Sequence, residues 1–157
     1  MNIFVLDRDP SIAAMFHNNR HIVKMPLEST QMLCTVLNNS GISTPYKSAH
    51  AKHPCTIWAG ASRENFEWLC DLGLYLCEEY SFRYKKTHKC ASVIEFCLSN
   101  KNVVINKPMT PFALAMPDEY KDVDAVKAYR NYYVFAKSHL AEWKLRERPD
   151  WYPVLGV

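Results

Sequence analysis

Glycine is the scarcest informative residue in this 157-residue chain: there are four, where roughly eleven would follow from an average usage of about 7%. Gly41, Gly60, Gly73 and Gly156 never fall within a dozen residues of one another. Phosphate-cradling loops need several glycines close together, so that backbone N–H groups can approach phosphate oxygens. Their absence excludes a P-loop, a dinucleotide fingerprint and a kinase-type glycine loop. Paired metal-ligand spacing is missing too. Six cysteines at 34, 55, 70, 77, 90 and 97 contain no Cys-x-x-Cys pair, and the loose groupings His50, His53, Cys55 and His88, Cys90 lack zinc-site spacing. No metal and no cofactor are expected, and the thiols are expected to be free and to pack as small hydrophobes. Long apolar runs are also lacking: Ile3–Leu6 is followed at once by Asp7, Arg8 and Asp9. This predicts a soluble, cytoplasmic protein with neither signal peptide nor membrane span. Charge of one sign is not dominant either. Nineteen Lys and Arg against sixteen Asp and Glu leave +3, which permits a nucleic acid or nucleotide partner without requiring one.

What is present is ordinary globular composition, 48% hydrophobic and 22% charged, with 20 aromatics (nine Tyr, seven Phe, four Trp). The length suits a single domain over residues 1–157. Asn2–Leu6 reads as an extended segment laid against a core. Asp9-Pro10 is an N-cap with proline at the first helical position, opening a helix to about Phe16. A second helix runs from about Asn19 to Leu37, with Pro26 as a kink. Residues 41–61 read as a long loop. Ser62 caps a third helix, whose Phe66, Leu69, Gly73, Leu76 and Tyr80 recur at helical spacing. Residues 90–99 form a short helix, and 100–117, with three prolines, is irregular. From about Asp118 to Arg146 a long helix is expected, with Val126, Tyr129, Tyr133, Ala136, Leu140 and Trp143 on one face. The fold class is mainly α: one compact helical domain with two long irregular segments and an extended N-terminus.

Three surfaces bring chemistry-bearing residues together. On the second helix, His21, Lys24, Glu28 and Gln31 fall within an arc of about 80° at 100° per residue. A solvated polar face with an i,i+4 pair is one reading; proton transfer and anion binding is the other. On the last long helix Arg130, Lys137 and Lys144 repeat every seven residues, either solubilising charge or an edge that tracks phosphates beside Tyr132. The third cluster interleaves Arg83, Lys85 and His88 with Tyr80, Phe82 and Tyr84. It suits base stacking and phosphate binding, although a helix C-terminus also attracts cations. His53 and Trp58 in the long loop line a pocket or seal the core.

The stretch Arg20-His21-Ile22-Val23-Lys24-Met25-Pro26-Leu27-Glu28 resembles the catalytic helix of the pyrimidine-dimer DNA glycosylases, the phage endonuclease V-like family. There a histidine precedes the essential glutamate by seven positions. Arg148-Pro149-Asp150-Trp151-Tyr152 is similar to that family's C-terminal Arg-Pro-x-Trp-Tyr, and Asn65–Lys86 resembles its middle helix more loosely. The resemblance implies a mainly helical fold with the N-terminus threaded between helices. It also implies an N-terminal α-amine that attacks the sugar C1′, forms a Schiff base and cleaves the strand by β-elimination. Glu28 takes the catalytic place with His21, and Trp151 packs near the substrate. The family has threonine after the initiator methionine, whose removal exposes a new amine; with Asn2 at that place here, either Met1 itself is the nucleophile or the processing is unusual. Leu27 and about Gln31 stand where the family has DNA-holding arginines. An α-amine titrates near 8 and a lysine near 10.4, so an α-amine offers more neutral nucleophile at physiological pH.

Damaged DNA is the partner on this reading, and no membrane is involved. Asn2, Lys24, Gln31, His53, Trp58, Arg83, Tyr84, Lys85, His88, Arg130, Lys137 and Trp151 are the expected binding residues. The alternative is a closed pocket for a free nucleotide, in which His21, Lys24, Glu28, His53, Trp58, Arg83 and His88 converge without DNA chemistry.

Overall fold

In the computed structural model, which describes residues 1–153, the helix starts follow from local capping chemistry, because the first N–H groups of a helix have no partner within it. Asp9 accepts from Ser11 N–H and opens α1 (Pro10–Phe16). Asn18 accepts from His21 N–H and opens α2 (Asn19–Asn39). His53 accepts from Cys55 N–H at α3 (Pro54–Ala61), and Ser62 accepts from Asn65 N–H at α4 (Arg63–Tyr84). Then come α5 (Ala91–Ser99) and α6 (Ala125–Ala136), the latter capped by Asp124. Three single 3-10 turns complete the mainly α architecture, and no strand occurs among the described residues.

Packing centres on α2 and α4, with α1 against α4 and with α3 and α5 against the central pair. Met32, Leu33 and Leu37 of α2 meet Phe66, Leu69, Leu72 and Leu76 of α4 in a core closed by Ile94 of α5. Gly73 permits the close approach of α4 and α5, since a Cβ there would lie 2.8 Å from Ile94 Cδ1. Pro26 sits inside α2, where it removes one main-chain donor, and the helix continues past it. All six cysteines are free and buried, in keeping with a role as small core residues.

The N-terminal segment does what its apolar run predicts. Asn2 to Leu6 are buried, running between α2 and α6. The Phe4 ring stacks on His21 of α2, 4.3 Å between centroids, and meets Tyr129, Tyr132 and Tyr133 of α6. Arg130 Nε donates to the Leu6 carbonyl at 2.9 Å.

Two elements differ from the sequence expectation. The stretch read as a loop over 41–61 ends in α3, because His53 and Pro54 supply cap and first turn while Cys55, Trp58 and Ala59 go into the core. The helix expected over 118–146 covers only Ala125–Ala136. Beyond it, backbone and side-chain contacts to α1, α2 and α4 claim the chain. Asn19 N–H donates to the Glu142 carbonyl, Trp143 Nε1 to the Phe16 carbonyl, and Arg146 to Glu79. The seven-residue basic stripe therefore does not form on one helix: Lys137 is the C-cap of α6 and Lys144 lies past it. Among the described residues no helix is long and apolar enough to cross a membrane.

Candidate functional site

Glu28 is the single carboxylate of α2, and the helix carries it inward. Its side chain is about one-tenth exposed, and each of its two oxygens faces a cation: Oε1 lies 3.2 Å from the Met1 α-amine and Oε2 lies 3.8 Å from Lys24 Nζ. The two amines differ in setting. Met1 is half-buried at the start of the threaded segment, whereas the Lys24 side chain is 71% exposed. An unpaired buried carboxylate is costly, so the α-amine and Glu28 support each other's position.

Several groups hold that amine where it is. Asn2 Oδ1 accepts from the N–H groups of Ile3 (2.7 Å) and Phe4 (3.1 Å), while Asn2 Nδ2 donates to the Ala115 carbonyl at 2.8 Å. Tyr129 fixes the segment that supplies Ala115: its hydroxyl donates to the Ala113 carbonyl at 2.6 Å and accepts from Ala115 N–H at 3.2 Å. Phe4 has φ +30°, a region that bulky residues avoid and that costs on the order of 1–3 kcal/mol. The ring stacking and the Asn2 hydrogen bonds hold it there. Strain of this kind three residues from the α-amine marks a segment kept in place by its surroundings.

His53 belongs to the same neighbourhood. Burial lowers its imidazole below the ordinary value, the α-amine's charge adds to this, and Glu28 opposes it. Because Nδ1 accepts from Cys55 N–H at 3.1 Å, the neutral ring carries its hydrogen on Nε2. The site thus gathers an α-amine, a carboxylate and an exposed ammonium. Such a set can position a nucleophilic amine, receive its proton and attract an anion.

His21 is placed differently from the expectation of a proton-handling face. Its ring is covered by Phe4, and Nδ1 lies 2.6 Å from the Tyr133 hydroxyl. Tyr133 also accepts from Asn18 N–H at 3.3 Å, so its own proton points to His21. Burial drives the His21 imidazole down to about 2, with His17 and nearby lysines adding to the effect. It is neutral throughout the physiological range and acts as a support for Phe4. Trp151 continues the same stack, packing on Tyr133 and Phe16 with the Arg130 guanidinium over its ring at 5.1 Å. The Arg148–Tyr152 motif therefore braces the N-terminal segment from behind, through Tyr133 and His21.

The remaining sequence candidates are not drawn to Glu28. Arg83, 1% exposed, donates to Glu79, Asn19 and the Met15 carbonyl. Trp58 is sealed between Trp68 and Phe112. Lys85 is the left-handed C-cap of α4 and turns back onto the Phe82 carbonyl. Lys137 lies over the Tyr132 ring. His88 Nε2 is 3.0 Å from the Val23 carbonyl, and Lys144 covers the ring of Tyr84. His21, Trp58 and Arg83 thus occupy three separate packing sites in place of one closed pocket. Gln31 lies one turn beyond Glu28 and lines a shallow groove with Lys47 and Lys89. Phe4, Asn18, Tyr129 and Tyr133 were not singled out as site residues from sequence. The apolar spacing on α6 did place Tyr129 and Tyr133 on its inner face, and the Asn18-x-x-His21 cap was there to be read. No family model, curated protein or solved structure matches the chain.

Proposed function

We propose that the protein is a DNA glycosylase with abasic-site lyase activity, in which the Met1 α-amine is the nucleophile and Glu28 handles its proton. The observation that carries this reading is the ion pair of Met1 nitrogen and Glu28 Oε1 at 3.2 Å, within reach for proton transfer. The resemblance of Arg20–Glu28 and Arg148–Tyr152 to pyrimidine-dimer glycosylases points the same way, as does the threaded N-terminus.

In this reaction the neutral amine attacks C1′ of a damaged nucleotide and the C1′–N bond to the base breaks. Sugar-ring opening then leaves an imine between Met1 nitrogen and C1′, with Glu28 taking the proton that the amine sheds. Loss of a C2′ proton drives β-elimination, which breaks the bond from C3′ to its phosphate oxygen. Water then hydrolyses the imine and frees the amine. Asn2, Tyr129, His21 and Phe4 act as positioning residues, and preorganisation of this kind replaces a costly search for the reactive geometry. Lys24 offers charge to a neighbouring phosphate.

The test is borohydride reduction in the presence of DNA with an abasic site or ultraviolet damage. A covalent protein–DNA complex is expected with the wild-type chain. Glu28→Gln is expected to lower turnover by about 100-fold or more while DNA binding persists. No trapped complex with either DNA would sink the proposal. Intact mass belongs to the same experiment, because the reading requires a free α-amine on Met1.

A further inference from the structure

The outer face of α2 has an unusual order. Arg20, Val23, Lys24 and Leu27 are exposed along it, and Gln31 is half-buried. Val23 and Leu27, 46% and 37% exposed, stand one turn apart and form an aliphatic ridge, and Leu27 immediately precedes Glu28. Single exposed aliphatics are ordinary. Here, however, a cation-lined groove lies on each side of the pair. One, of about 570 Å³, includes Arg20, Lys24, Tyr84 and His139, with Glu142 its single acid. The other, of about 480 Å³, includes Leu27, Gln31, Tyr46, Lys47 and Lys89 and is lined by no acid. His88, at 3.0 Å from the Val23 carbonyl, ties the ridge to the end of α4.

We infer that Val23 and Leu27 form a wedge for duplex DNA: the phosphates on either side of a lesion lie in the two basic grooves, and Leu27 fills the gap where a base is missing or displaced. This rests on the function proposed above and adds the residues that would select a duplex. Charge complementarity argues for the occupant, since two basic grooves separated by an apolar ridge match two phosphate runs separated by stacked bases. Apolar side chains inserted between base steps are a recognised way to hold distorted DNA, and a site lacking its base is the easiest to enter.

The test uses a duplex with a tetrahydrofuran abasic-site analogue and 2-aminopurine at the adjacent position, with binding followed by anisotropy and unstacking by 2-aminopurine fluorescence. Leu27→Ala, checked for an unchanged melting temperature, is expected to bind this duplex about tenfold more weakly and to lose the fluorescence rise. Affinity for a single-stranded oligonucleotide with the same analogue should not change. Lys47→Glu combined with Lys89→Glu should reduce the slope of log affinity against log salt by about two. Equal duplex affinity and equal fluorescence for Leu27→Ala and wild type would overturn the wedge, as would a wild-type chain that does not bind the duplex. The two proposals fail separately. Binding that depends on Leu27 without any borohydride trapping removes the lyase reading and leaves the wedge. Trapping on duplex and single strand alike, unaffected by Leu27→Ala, removes the wedge and leaves the lyase.

Discussion

Two buried imidazoles set how the fold responds to acid. Burial lowers His17 to about 4 and His21 to about 2, whereas in the unfolded chain both titrate near 6.5. The folded state thus binds fewer protons than the unfolded one below that value. Stability from the neutral rings is complete above about pH 6.5 and is lost as pH falls toward the folded values. Each ring should remove about 1.4 kcal/mol per pH unit in that window. Denaturant titrations from pH 7.5 to 4.5 should show the decline, and His21→Phe should make it shallower by one ring's share. An identical slope in the variant would contradict the placement of His21. Its sequence position was legible and its role was not. A helical wheel gives the direction in which His21 points. It cannot show that Phe4, from a segment 17 residues earlier, lies across that direction. Glu28 was read on the same face, and there the group beside the side chain is the Met1 α-amine.

At the scale of elements, the carboxylate of Glu79 joins α4 to the chain beyond α6. It accepts from Arg83 Nε at 2.9 Å and from Arg146 Nε and Nη2 at 2.8 and 3.0 Å. Burial alone would raise its pKa, and the two arginines outweigh that and hold it below the ordinary value. Glu79→Gln leaves the Arg83 charge buried without its partner. The expected loss is about 3–5 kcal/mol, read from chemical denaturation. A loss under about 1 kcal/mol would mean that the segment after α6 is held by other contacts. The same contacts explain why the long helix expected over 118–146 stops at Ala136. The period of apolar residues continues to Trp143, but periodicity reports which residues prefer burial and not which surface buries them. Here Trp143 and Arg146 turn onto α1 and α4. By contrast the starts of α1 and α4 were legible because capping is local: Asp9 and Ser62 each act within three residues. The same local signal lay in His53-Pro54 ahead of α3, hidden by the absence of a period in eight residues.

At the scale of the molecule, the fold presents one end of the chain to one carboxylate. The mainly helical class was legible from periodicity and caps, and the buried N-terminal segment from Ile3–Leu6. The juxtaposition that matters, Met1 on Glu28, came only through resemblance, since no spacing within the sequence encodes a contact over 27 residues between a terminus and a helix face. Two amines compete for the proposed role, because Met1 nitrogen and Lys24 Nζ each face one oxygen of Glu28. The measurement that decides between them is peptide mapping by mass spectrometry of the borohydride-reduced complex with abasic DNA. The sugar remnant is expected on the α-nitrogen of Met1. A remnant on Lys24, or none at all, would contradict it.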